Sequence, residues 1–293
     1  MADFFQQVVA GLASGAVYAS LALALVLIYR ATRVINFAQG EMATFTTFVA
    51  WALVDRGMTF WLAFAVTLAI AFVGGVAIQR GVIRWVEGSS VLTIVIVTIG
   101  LALVLNGLAG AIWGSEVKKF PSAFSTRAVE VGGVAFSIQD VGVIAVSLAL
   151  VAVLYVFFRF TKLGLALRAV STNPAESRLV GIRAGWMLAL GWGLAAVLGA
   201  VAGMMIAPSV FLEPNMMRAV LLYAFAAAVL GGLDSPLGAV VGGLALGVIL
   251  NLVETYVDFV GPELRLPAGL TILLLVLLVR PSGLLGRAAV RRV

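Results

Sequence analysis

Apolar residues fall along this chain in nine long runs, near 7–29, 35–54, 60–79, 91–112, 140–159, 186–207, 219–232, 236–253 and 266–279. Charged residues gather mainly in the gaps. Runs of this length predict helices that cross a hydrocarbon core, because about 20 apolar residues in a helix span roughly 30 Å. The runs at 219–232 and 266–279 are short for a full crossing and predict tilted or half-spanning helices. Glycines recur inside the later runs, at Gly231, Gly232, Gly238, Gly242, Gly243 and Gly247. Small residues at such spacings let helix backbones approach closely, which suits a packed bundle. The pattern predicts an all-α fold, a polytopic membrane helix bundle with about eight or nine transmembrane or partly spanning helices. It forms a single transmembrane domain over 1–293.

Composition agrees and narrows the chemistry. The chain is 63% hydrophobic and only 11% charged, too apolar for a soluble domain to cover its surface. It contains no cysteine and no histidine, which excludes disulfides, thiol nucleophiles, thiolate or imidazole metal sites and histidine general bases. No glycine-rich phosphate loop ending in Gly-Lys-Ser/Thr occurs, so any ATP hydrolysis must come from another chain. The first run lacks a basic segment before it and carries only Asp3 as an early charge, which predicts a retained span.

Charge then sets the orientation. The stretch from Arg159 to Arg183 holds Arg159, Lys162, Arg168, Arg178 and Arg183 against the single acid Glu176. Arg280, Arg287, Arg291 and Arg292 make the tail basic as well. The positive-inside rule assigns both stretches, with Arg30/Arg33 and Arg80/Arg84, to the cytoplasm. The loop at 113–139, where Lys118 and Lys119 are expected to be simply solvated, and the stretch Glu254, Asp258, Glu263 then face outward, and the C-terminus is cytoplasmic. Because the excess base sits at the ends of apolar runs, the net charge of +6 does not point to nucleic acid.

Three segments carry functional signals. In residues 11–42, Asn36, Gln39 and Glu41 cluster around Gly40 just after the first run. A glutamate here suits a helix N-terminus and an interfacial cap, or a place on a solute pathway, since an acid at membrane depth is costly. In residues 161–185, Asn173 before Pro174 reads as an N-cap with proline at the first helical position. Glu176 lies in that first turn and Gly181 is a terminator. Leu179, Val180 and Ile182 give this short helix an apolar side, for a soluble partner or for lipid headgroups. In residues 227–251, Gly231-Gly232 and Ser235-Pro236 bracket Asp234 and predict a helix break. It is either an interfacial turn or a substrate-binding interruption. Asn106 and Asn251 read as interhelical hydrogen-bonding partners, with Asn106 also a candidate for the path.

Together these motifs resemble the permease subunits of high-affinity branched-chain amino acid ABC importers. The resemblance rests on YRATRVINFAQGEM, RAVSTNPAESRLVGI, VLGGLDSPLGAVVGG and the closing RPSGLLG at 280–286, and covers nearly the whole chain. It implies a bacterial inner-membrane permease domain whose cytoplasmic loop, about 160–185, couples to ATPases. Asn173, Pro174, Glu176, Leu179, Val180, Gly181 and Ile182 then form the coupling helix. Asn36, Gln39, Glu41 and Asn106 are candidates for the translocation path. The implied partners are a second, similar permease chain, two cytoplasmic ATPase subunits and a periplasmic solute-binding protein. No cofactor is expected on this chain, ATP being used by the partners. Such permeases serve leucine, isoleucine and valine, but also urea, short-chain amides and other small solutes.

The competing classes fit less well. An ion-coupled secondary transporter normally carries buried carboxylates or histidines. A passive channel for urea or amides does not need the basic loop. An intramembrane enzyme finds few catalytic groups here.

Overall fold

The computed structural model describes residues 2–131, 134–280 and 283–286. The apolar runs fold as helices α1 (Ala2–Thr32), α2 (Gln39–Asp55), α3 (Phe60–Gly81), α4 (Val91–Trp113) and α5 (Ile138–Phe160). Two short helices follow, α6 (Lys162–Thr172) and α7 (Pro174–Leu179). The chain then continues through α8 (Ala184–Val210), α9 (Met217–Gly231), α10 (Pro236–Tyr256) and α11 (Arg265–Val279). Six of these, α1, α3, α4, α5, α8 and α10, are long and apolar enough to cross a membrane. At 15 residues each, α9 and α11 reach only roughly 22 Å, as their short runs predict.

Local chemistry starts several helices where they start. Ser90, Ser137 and Ser235 accept a hydrogen bond from a backbone N–H in the first turn of α4, α5 and α10, and Thr161 does so for α6. Each thereby satisfies one of the donors a helix N-terminus leaves open. Ser235 is followed by Pro236, whose missing N–H costs nothing at the first helical position.

The core centres on α1 and α8, both largely buried, while α3, α4 and α5 present long apolar faces outward. Close approach of α1 to α10 depends on two small-residue ladders. A methyl group added at Gly15 would lie 2.9 Å from the Gly243 oxygen, and one at Gly11 would lie 2.7 Å from Val248 Cα. Gly247 faces the same seam from α10. With no hydrophobic drive between helices in lipid, this backbone-level packing is what holds such a pair together. Gly199 and Gly203 of α8 likewise admit Gln39 and Thr47 of α2.

Contacts at the two ends settle which segments lie together. Arg33 pairs with Asp234 at 2.9 Å, Arg80 lies over the Trp186 ring at 4.2 Å, and Leu284 N–H donates to Leu230 O at 2.7 Å. Arg30, Arg159, Arg168 and Pro236 line one crevice. The basic stretches before, within and after the bundle thus share one end; Arg287, Arg291 and Arg292 lie outside the described residues. At the other end Asn251 donates to Gln7, and Arg265 pairs with Glu254 at 3.0 Å.

Two features of the 113–139 loop depart from the sequence reading. Residues Ala128–Val131 (β1) and Val134–Ser137 (β2) pair as an antiparallel ribbon, with Glu130 opposite Ala135. Lys118 is not simply solvated. Its ammonium lies 4.7 Å from the Trp51 ring centroid, and its backbone bonds in both directions with Leu212. A cation over an indole face gains electrostatic attraction while its stem covers apolar surface.

Candidate functional site

Two places bring the singled-out residues together. One is buried along the bundle, where α2 begins. After α1 the chain turns through Arg33, at φ +58°, and runs without regular structure to Gln39. Asn36 accepts from Ala38 N–H through Oδ1 at 3.0 Å and donates to Gln39 Oε1 at 3.2 Å. Gln39 Nε2 donates to Ala195 O at 2.9 Å. Ala195 lies about 16 Å along α8 from its basic end, so α2 starts deep in the bundle rather than at its surface. Non-helical backbone at such depth is tolerated only where protein satisfies it, and Asn36 and Gln39 do that here. Both are buried, at 1% and 0% exposure.

Glu41, in the first turn of α2, is half-buried and sits where the helix dipole favours an anion. Asn106 of α4 donates from Nδ2 toward Glu41 Oε2 at 3.1 Å, Pro214 O at 2.9 Å and Asn215 Oδ1 at 3.2 Å. An amide nitrogen has two hydrogens for these three acceptors, so the cluster always has an oxygen short of a donor. Asn215 and Arg218 are exposed, and Arg218 lies within electrostatic reach of Glu41. The four residues chosen from sequence therefore divide. Asn36 and Gln39 hold the break, while Glu41 and Asn106 reach the surface of the chain beside Asn215 and Arg218. Sequence reasoning missed those last two, because nothing in the 211–218 segment marks it as the neighbour of α2 and α4.

The second place is the loop at the basic end. Asn173 Oδ1 accepts from Ala175 N–H at 3.1 Å and Glu176 N–H at 3.2 Å, with Pro174 at the first helical position. At the other end of α7, Gly181 stands at φ +83°. Its N–H bonds Arg178 O at 3.1 Å, and Ile182 N–H bonds Ser177 O at 3.0 Å. This double closure after a left-handed glycine is the Schellman arrangement. Ser177 is buried beneath the helix, donating to Asn173 O at 2.8 Å. Leu179 and Val180 project outward, 86% and 75% exposed, with Glu176 and Arg178 beside them. Ile182 turns the other way and packs with Val170, Ala184 and Leu188, so the apolar side of the tip is Leu179 and Val180.

The Gly231–Pro236 segment is a turn at the basic end of the bundle. Gly232, at φ +103°, closes α9, and Asp234 is half-exposed at the basic end. Asn251 donates to Gln7 O at 2.8 Å and to Gln7 Oε1 at 2.7 Å, tying α10 to α1. Pro281 and Ser282 of the RPSGLLG ending lie outside the described residues.

A polytopic helix bundle with a buried helix break, an acid beside it and a rigid exposed tip at its basic end has the make-up of a membrane-transport subunit. Family comparison makes this specific. Residues 7–279 match the family described as the branched-chain amino acid transport system permease component, and the chain belongs to that family. It is 32% identical to the high-affinity branched-chain amino acid transport system permease protein LivH of Salmonella typhimurium, over 99% of this chain and 98% of that one. The corresponding protein BraD of Pseudomonas aeruginosa is 30% identical over the same shares. Among solved structures, PsaBC from Streptococcus pneumoniae in complex with Fab aligns with a TM-score of 0.51 at 14% identity. That match covers 93% of this chain and 91% of that one, a likeness of fold alone.

Proposed function

We propose that this chain is the membrane-spanning permease subunit of an ABC importer that moves branched-chain amino acids across the inner membrane. In this reading the basic end faces the cytoplasm, the C-terminus with it. The observation that carries the proposal is the α7 tip, where two apolar side chains stand almost fully exposed on a short helix locked at both ends by its cap and its glycine closure. Such a tip transmits a push without deforming, which is what coupling to a moving ATPase requires. The partners are a second, similar permease chain, two ATPase subunits that use the ATP, and a periplasmic solute-binding protein.

The solute passes, in this account, along the surface formed by α2, α4 and the start of α9, against the second permease. The acceptor-rich group of Glu41, Pro214 O and Asn215 suits an ammonium, and Arg218 a carboxylate, so the pair of charges fits a zwitterion. ATP favours one of two states of the bundle by favouring one position of α7. Affinity purification of the full chain from its native membrane tests the assignment. Recovery with ATPase subunits and a second permease supports it; a homo-oligomer with no ATPase overturns it.

A further inference from the structure

A crevice of about 240 Å³ lies between α1, α5, α6, α8 and α10 at the basic end, away from the proposed solute surface. Its walls are apolar, with Leu23 and Leu27 from α1, Leu154 and Phe158 from α5, Leu188 from α8 and Val240 from α10. Exposed apolar surface rimmed by polar groups marks binding to lipid or ligand, so an apolar crevice with arginines at one end suits an apolar chain that carries an anion. One water needs only about 10–15 Å³ of such space, so the slot admits a group many times larger. One side stays open toward the surroundings of the bundle, where Tyr155 and Leu237 on the rim are 51% and 58% exposed.

Three cations stand at the basic end of this slot: Arg30 in the last turn of α1, Arg159 in the last turn of α5, and Arg168 in α6. No Asp or Glu lines it among the described residues. Arg168 Nε is buried with no hydrogen-bond partner, whereas buried polar nitrogens are normally satisfied. An apolar slot open on one side and closed at its basic end by arginines matches an acyl chain hanging from a phosphate.

We propose that this crevice is a binding site for an anionic phospholipid. One acyl chain occupies the space between α1, α5, α8 and α10, and the phosphate meets Arg159 and Arg168. The lipid then braces α6 against the bundle, and α6 leads through Asn173 directly into the α7 tip. The site stands on its own geometry, independent of which solute is carried.

Native mass spectrometry of the full chain in mild detergent, with phosphatidylglycerol or phosphatidylcholine added, tests this. Phosphatidylglycerol is expected to stay bound under activation that strips phosphatidylcholine. The pair Arg159→Gln/Arg168→Gln is expected to lower phosphatidylglycerol retention by about tenfold and to erase the preference, the scale of losing charged hydrogen bonds. Gly191→Leu fills the slot, since a side chain starting there meets only Leu167, at 3.9 Å. It is expected to expel the lipid with all three arginines in place, and if it fails to fold the arginine pair still decides. Equal retention of both lipids by the native chain would overturn the site, as would undiminished phosphatidylglycerol in the variants. Displacement of phosphatidylglycerol by the assembled ATPase would overturn it too, by giving the slot to a protein partner.

Discussion

Arg33 and Asp234, 201 positions apart, meet in an ion pair of 2.9 Å that joins the two non-helical connections at the basic end, one after α1 and one after α9. Both side chains are well exposed, so the pair fixes an orientation more than it stabilises the fold. Arg33→Gln and Asp234→Asn are each expected to cost less than about 1 kcal/mol of stability in detergent. Thermal unfolding of the two variants and their combination checks this, and a non-additive loss in the double variant marks the direct contact.

The α1–α10 seam makes a sharper prediction. Gly15→Leu drives side-chain atoms into the backbone of α10 and is expected to cost at least about 1–3 kcal/mol by overpacking. Gly100→Leu on α4 has nothing within 4 Å of its added carbon and is expected to leave the stability of the isolated chain unchanged. Melting temperatures of the two proteins, purified side by side, separate packing glycines from open ones.

Gln39 and Glu41 sit two residues apart yet are expected to fail differently. Gln39→Leu removes the second donor of Ala195 O, which keeps its helical one, and strips Asn36 of an acceptor, costing about 1–3 kcal/mol from the buried Asn36 amide left short of a partner. Glu41→Gln keeps the shape and a hydrogen-bonding oxygen, so folding is expected to survive while leucine uptake falls. Stability and uptake measured on both variants check the division; a stable, fully active Glu41→Gln protein removes Glu41 from the path.

Rigidity of the α7 tip is testable at its closing glycine. Gly181→Val places a β-branched residue at φ +83°, at a cost of roughly 1–2 kcal/mol or more to that turn. Uptake is expected to drop although the transmembrane bundle keeps its melting temperature, because α7 contributes little to the core.

Much of this was legible in the chain itself. Among the described residues each of the nine apolar runs became a helix, α1 to α5 and α8 to α11, and Asn173-Pro174 and Gly181 marked both ends of α7 because their roles are local. Hydropathy could not show depth. The run at 35–54 gives no sign that its helix begins at Gln39, well inside the bundle, since that position comes from the bond to Ala195 of a distant helix. The direction of Ile182 was hidden for the same reason, its partner Val170 lying in α6, a helix the sequence reading did not separate from the loop. The ribbon at 128–137 did leave a signal, strand-favouring Val129, Val131, Val134 and Phe136 on either side of a Gly-Gly pair, overshadowed by the apolar runs around it.

ATP-dependent uptake of radiolabelled leucine into proteoliposomes holding the complete complex tests the central claim most directly, comparing the native chain with Leu179→Asp. Burying a leucine at an interface is worth about 1.5–3 kcal/mol, and a carboxylate there costs more than that again. The account predicts uptake that requires ATP in the native complex and is lost in the variant, with the chain still inserted. Leucine uptake independent of ATP, or undiminished in Leu179→Asp, would contradict it.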